Sequence, residues 1–199
     1  MNTKEEKFLT INNYNIIGRK TDIDINIIKQ YPKLEEIKIK NFDISNELIE
    51  LLNNLQNLKK IFLVNCTINA NKTINKIKIL ELSNCYFTNI GKVFKNVEIL
   101  QLRDCKNIDI NHILNFKLQT LKILNTKIIN FRSIQNIDTL ENLYLNEVDL
   151  NNELNYEKLT KLKKINFDGS FINNKKEFLS QFETKNINIS FSKNYEEIG

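Results

Sequence analysis

Reactive side chains are scarce in this chain, and their spacing limits what they can do. Cys66, Cys85 and Cys105 lie 19 and 20 residues apart, with no Cys-x-x-Cys pair, and the single histidine, His112, lies outside the series. Metal sites built from these residue types draw closely spaced ligand pairs, so a metal centre is disfavoured and no cofactor is expected. Three thiols cannot all pair as disulfides, and small buried cysteines are common in cores, so a ladder of reduced thiols in a reducing compartment is the expectation. His112 sits among Ile110, Ile113 and Leu114 with no partner that would make it a general base, and reads as a surface or turn residue. Gly18-Arg19-Lys20-Thr21 matches the end of a phosphate-binding loop but lacks the upstream glycine and the strand-to-helix setting. Glu5-Glu6, Glu35-Glu36 and Glu196-Glu197 read as solvated charges without the fixed geometry of acid and base catalysis. No catalytic constellation remains, so the chain is expected not to be an enzyme and to take no small-molecule substrate.

Composition agrees with a folded, noncatalytic domain. The chain has 199 residues, 41% of them hydrophobic, with four Gly and one Pro, which leaves no flexible linker at which to divide it. The net charge of +5 comes from 29 Lys and Arg interleaved with 24 Asp and Glu. Without a concentrated basic face, nucleic acid is a disfavoured partner. The opening residues MNTKEEKFL are polar and acidic where a signal peptide would be basic and then apolar, and no apolar run approaches the ~20 residues that span a bilayer. No membrane insertion and a cytoplasmic or otherwise intracellular location are expected. Three glycosylation-type sequons, at Asn65, Asn71 and Asn188, match chance in so Asn-rich a chain and carry no evidence of secretion.

The elements that position these residues follow from a repeat. Apolar residues recur at positions 1, 4 and 6 of a frame, with Cys, Thr or an apolar residue at 9. Copies begin at Leu34, Leu58, Ile77, Val97, Leu118, Leu140 and Leu162, spaced 24, 19, 20, 21, 22 and 22 residues apart. The Leu118 copy is the fullest, with Leu118, Leu121, Ile123, Thr126, Ile128, Phe131, Ile134 and Ile137 at positions 1, 4, 6, 9, 11, 14, 17 and 20. The pattern resembles leucine-rich repeats. It is similar to the 22-residue class of phosphatase-1 regulators and internalins, over about Leu34 to Phe191. The resemblance implies an α/β solenoid with a curved parallel sheet on its concave face and loops and short helices on the convex face. It also implies that the position-9 cysteines point inward and satisfy backbone groups at the turn. A single domain over 1–199 is expected, with 1–33 as N-terminal cap, 34–183 as seven repeats and 184–199 as terminal strand and tail.

Strand alternation puts positions 4 and 6 inside and 3, 5 and 7 outside. At the N-terminus, Phe8 to Ile17 reads as a degenerate strand, and Thr21 or Asp22 as the cap of a helix holding Ile23, Ile27, Ile28 and Tyr31. Glu47 to Leu55 and Lys175 to Phe182 have helical spacing. In the last strand Ile187, Ile189 and Phe191 continue the frame, placing Asn186, Asn188 and Ser190 at positions 3, 5 and 7.

The outward positions then define a candidate protein-binding surface: Phe62, Val64, Ile79, Ile99, Arg103, Lys122, Leu124 and Tyr144, with Glu81 and Asp104 among them. Apolar anchors among charges suit a protein contact, since anchors supply desolvation energy and charges set orientation. A noncatalytic scaffold holding a protein or peptide is the leading expectation. A regulatory or adaptor subunit docking onto an enzyme is the alternative, followed by a polyanion binder using Lys38, Lys40 and Lys60.

Overall fold

Each repeat opens with a five-residue stretch whose side chains alternate between the two faces of a strand. The computed structural model describes residues 5–13, 15–16, 19–20, 24–150, 158–169, 171–172, 179–180, 182 and 186–191. The chain divides into two compact units, residues 1–97 and 98–199. In the first unit β1 (Phe8–Asn12), β2 (Glu36–Lys40), β3 (Lys60–Val64) and β4 (Ile79–Ser83) pair parallel in chain order. In the second, β5 (Ile99–Arg103), β6 (Thr120–Leu124), β7 (Asn142–Asn146), β8 (Lys164–Asp168) and β9 (Asn188–Phe191) do the same.

The inward rows are where the repeat is stabilised. Ile37, Ile39, Ile61, Leu63, Leu80 and Leu82 in the first unit are at most 1% exposed, as are Leu100, Leu102, Leu121, Ile123, Leu143, Leu145, Ile165 and Phe167 in the second. Full burial of one such side chain is worth about 1.5–3 kcal/mol. A single coil cannot bury its own row, so neighbouring coils in each unit stabilise one another.

A left-handed residue follows each strand from β2 to β8. Position 8 is Asn41, Asn65 and Asn84 in the first unit and Asp104, Asn125, Glu147 and Gly169 in the second, and all seven have positive φ, between 44° and 61°. Asn, Asp and Gly tolerate this region best, which accounts for six of the seven. Turned this way, the backbone N–H of Asn41 donates to Val64 O at 2.9 Å, and that of Asn125 to Asn146 O at 2.8 Å. The Val97 copy is one residue longer here. Asn107 takes up the insertion with φ 53°, so that Ile108 still pairs with Ile128.

Position 9 then turns inward, as expected. The Cys66 thiol donates to Val64 O at 3.3 Å and lies 3.5 Å from Ile39 O, and Cys85 repeats this with Ser83 O and Leu63 O. Cys105 donates to Arg103 O at 3.3 Å, and Thr126 takes the same role with Leu124 O at 2.8 Å while accepting from the Cys105 N–H. All three cysteines are buried free thiols.

Repeat length sets what returns on the far side. The longest copy has room for α1 (Asn46–Asn53), capped where Ser45 Oγ accepts from the Leu48 N–H. Lys76 reaches over from the next coil to donate to Asn53 O at 2.7 Å and to Leu55 O, supplying a cation where the helix dipole is negative. The 19-residue copy returns without a helix, and the next holds only α2 (Ile90–Val93). In the second unit the first two returns are 3₁₀ turns, Ile110–Ile113 and Phe131–Asn136. Asp109 caps the first by accepting from the Asn111 N–H at 2.9 Å, and that bond holds its carboxyl below the usual aspartate range.

Several terminal expectations change. The N-terminal strand is Phe8–Asn12, and Asn15–Ile16 pairs antiparallel with Arg19–Lys20, so these two residues form a strand where a phosphate loop would lead into a helix. The following helix is a 3₁₀ helix, Ile25–Gln30, capped by Asp24 where Thr21 or Asp22 was expected, because Asp24 Oδ1 accepts from the Asn26 N–H. Thr21, Asp22 and Ile23 lie outside the described residues, as does most of Lys175 to Phe182. The last strand is shifted by two: Ile189 and Phe191 pair with Ile165 and Phe167, so Asn188 and Ser190 occupy positions 3 and 5. Stacking of Phe191 on Phe167, with ring centroids 5.4 Å apart, explains the shift.

Candidate functional site

The outward rows of the sheet place every expected site residue on a strand. Phe62 and Val64 stand on β3 and Ile79 on β4, in the first unit. Ile99 and Arg103 stand on β5, Lys122 and Leu124 on β6, and Tyr144 on β7, in the second. All are half-buried except Arg103, which is exposed. Half-burial is what cross-strand packing on an uncovered face produces, since each side chain is covered laterally by its neighbours and open in front.

In the first unit the register sets Lys38 beside Phe62, Phe62 beside Glu81 and Lys40 beside Val64. Lys60, two residues before Phe62 on the same strand face, lays its ammonium 4.1 Å from the Phe62 ring centroid. The same ammonium pairs with Glu81 at 3.1 Å, and the two side chains retain only 23% and 26% of their exposure. The cation, the aromatic face and the carboxylate thus form a closed set. An exposed pair of this kind is worth about 0–1 kcal/mol, with the aromatic contact adding about 0.5–1 kcal/mol.

In the second unit Tyr144 lies between two lysines. Lys122, directly opposite on β6, is 5.5 Å from the Tyr144 ring centroid, and Lys164, diagonal on β8, is 5.3 Å from it. Around them stand amides and hydroxyls bonded to one another. Asn142 donates to Thr120 Oγ1 at 3.4 Å, Asn146 to Asp168 Oδ2 at 2.8 Å and Asn166 to Ser190 Oγ at 2.8 Å. Among the described residues, neither Lys122 nor Lys164 has a carboxylate partner.

Lys60 was expected only as a polyanion contact, and Lys164 was not among the expected site residues. Lys60 is visible in the sequence as a residue two before an exposed aromatic, but Lys164 reaches Tyr144 through a diagonal cross-strand contact, which only the register reveals. His112 is half-exposed in the Ile110–Ile113 turn, away from the strands. Among the described residues no group of three or more His, Cys, Asp or Glu could hold a metal ion. No helix among them is long and apolar enough to cross a membrane.

Repeated five-residue parallel strands, a left-handed residue after those of the seven repeats, an inward Cys or Thr ladder and short returning turns define an α/β leucine-rich repeat solenoid. The structure is similar to that of internalin C2 from Listeria monocytogenes, with a TM-score of 0.50 and 17% sequence identity over 83% of this chain and 84% of that one. At that identity the likeness concerns the fold. No family model matches the sequence, and no curated protein does.

Proposed function

We infer that this chain is a noncatalytic scaffold that holds a protein or peptide on the outward face of its sheet, with Phe62 and Tyr144 as principal anchors and Arg103 and Leu124 as flanking contacts. The supporting observation is that large side chains stand half-open on the strands of each unit, with lysines already oriented over both aromatic rings. Pre-ordered aromatics lose little entropy on binding, and the charges around them give orientation. Val64, Ile79, Ile99 and Lys122 complete the contact set. The buried reduced thiols fit residence in a reducing, intracellular compartment.

Docking of the same face onto an enzyme, as a regulatory or adaptor subunit would do, is one form of this reading and needs no different surface. The test is affinity capture from the native cells with wild type and a Phe62→Ala, Tyr144→Ala double variant, both first shown to unfold at the same denaturant midpoint. A protein retained by wild type and lost from the variant is the expected result, corresponding to about 2 kcal/mol per anchor. Equal retention by both removes the sheet face from consideration.

A further inference from the structure

We propose that Lys122, Tyr144 and Lys164 form a clamp for two carboxylates of an extended acidic peptide segment. This rests on the reading of the sheet face as the binding surface and names the chemistry of what binds to the second unit. The two units supply an internal comparison. Lys60 over Phe62 has its own carboxylate, Glu81, 3.1 Å away, whereas Lys122 and Lys164 over Tyr144 have none among the described residues. The charges are held in place by the ring and left unneutralised, so the complementary charge is one that a ligand brings.

Geometry narrows the ligand. The two ammonium-to-centroid distances mean the ammonium groups cannot be more than about 11 Å apart. Lys122 and Lys164 stand on the strands either side of the one that carries Tyr144, so their backbones lie two strand spacings, roughly 10 Å, apart, and one carboxylate for each lysine suits that spacing better than a single carboxylate about 2 Å across. Alternate residues of an extended chain project to one side roughly 6.5–7 Å apart, and the flexible stems of Glu and Lys cover the rest. Acidic residues two apart therefore fit, one to each lysine, with the intervening residue facing away. The Tyr144 hydroxyl, which has no hydrogen-bond partner among the described residues, can donate to either carboxylate. The neighbouring amides and hydroxyls of Asn142, Thr120, Asn166 and Ser190 are polar and uncharged, so they do not repel an acidic chain. Asp168, on the same strand as Lys164 and bonded to Asn146, brings a negative charge that disfavours a long polyanion.

The experiment is fluorescence anisotropy at low salt with the full chain and a labelled dodecapeptide of alternating Glu and Ser. Its Gln-Ser counterpart and an oligothymidylate of equal charge serve as comparison probes. The expected result is saturable binding of the Glu peptide alone, weakened about tenfold in a Lys122→Gln, Lys164→Gln variant, in line with loss of complementary charge. A Lys106→Gln, Lys127→Gln variant, which removes the same charge from exposed positions outside the strands, is expected to bind as wild type does. Absence of binding overturns the clamp, as does equal binding by all three proteins or tighter binding of the oligonucleotide. If the clamp fails in this way while the Phe62→Ala, Tyr144→Ala variant still loses its cellular partner, the sheet-face reading stands without it. Loss of the peptide by the Lys106, Lys127 variant in place of the Lys122, Lys164 variant likewise overturns the clamp; both readings fall only if the Phe62→Ala, Tyr144→Ala variant also keeps its cellular partner.

Discussion

The two units share one repeat but finish it differently. In the first, the turn edge is an unbroken asparagine ladder: Asn41 donates to Asn12 Oδ1 at 2.8 Å, Asn65 to Asn41 at 3.0 Å and Asn84 to Asn65 at 2.9 Å. In the second, Asn125 donates to Asp104 at 2.7 Å, but the next two positions are Glu147 and Gly169. Glu147 holds the same left-handed backbone at φ 51° without the short side chain that suits it. On the sheet face the contrast concerns the lysines over the aromatic rings: Lys60 pairs with Glu81, whereas Lys122 and Lys164 have no carboxylate partner among the described residues. Among the described residues, the turn edge of the first unit is the one closed by amide-to-amide bonds from coil to coil.

The largest effect expected from this contrast is at Asn65. Asn65→Ala removes two ladder bonds and puts a Cβ-bearing residue without local hydrogen bonding into the left-handed region, a loss of about 2 kcal/mol by urea unfolding. Asn65→Gly keeps the backbone preference and loses only the bonds, at roughly half that cost. Equal costs for the two would mean that the ladder, and not the turn conformation, carries the stability. Next comes Glu147→Gly, which relieves the strained turn and is expected to raise stability by about 0.5–1 kcal/mol. A loss there would show that Glu147 makes a contact worth more than its strain. Gly169→Ala should do the reverse, because its φ is +59° and its new Cβ would sit 3.3 Å from Glu147 Cγ. The smallest effect concerns the charges. A double-mutant cycle over Lys60→Gln and Glu81→Gln should give a coupling of about 0.5 kcal/mol, while Lys122→Gln should leave stability within about 0.5 kcal/mol of wild type. Coupling of zero at Lys60 would erase the distinction between the two faces.

How much of this was legible in the sequence depends on what burial alone decides. Positions 1, 4 and 6 stood out because every copy must bury them, and the Cys66, Cys85 and Cys105 ladder followed from the same frame. The last strand was misplaced by two residues because that shift exchanges Ile187 and Ile189 for Ile189 and Phe191 without changing which face is apolar. The stack of Phe191 on Phe167 accompanies the observed register. The asparagines at position 8 were present in the sequence but are polar, so a frame built on apolar spacing passed over them. Their meaning is conformational and emerges with the backbone angles. Phe62 and Tyr144 could be placed on the outward face from strand period, whereas the partnership of Tyr144 with Lys164 depends on a diagonal neighbour one coil away.

The most direct test of the account is site-specific photocrosslinking in the native cells, with a benzophenone amino acid replacing Phe62, Tyr144 or Tyr86 in turn. Tyr86 is the control, 62% exposed in a short strand beyond the turn and off the sheet face. The account predicts a common crosslinked protein from positions 62 and 144 and none from 86. Crosslinks from 86 with none from 62 or 144 would contradict it and place the binding surface on the other side of the repeat.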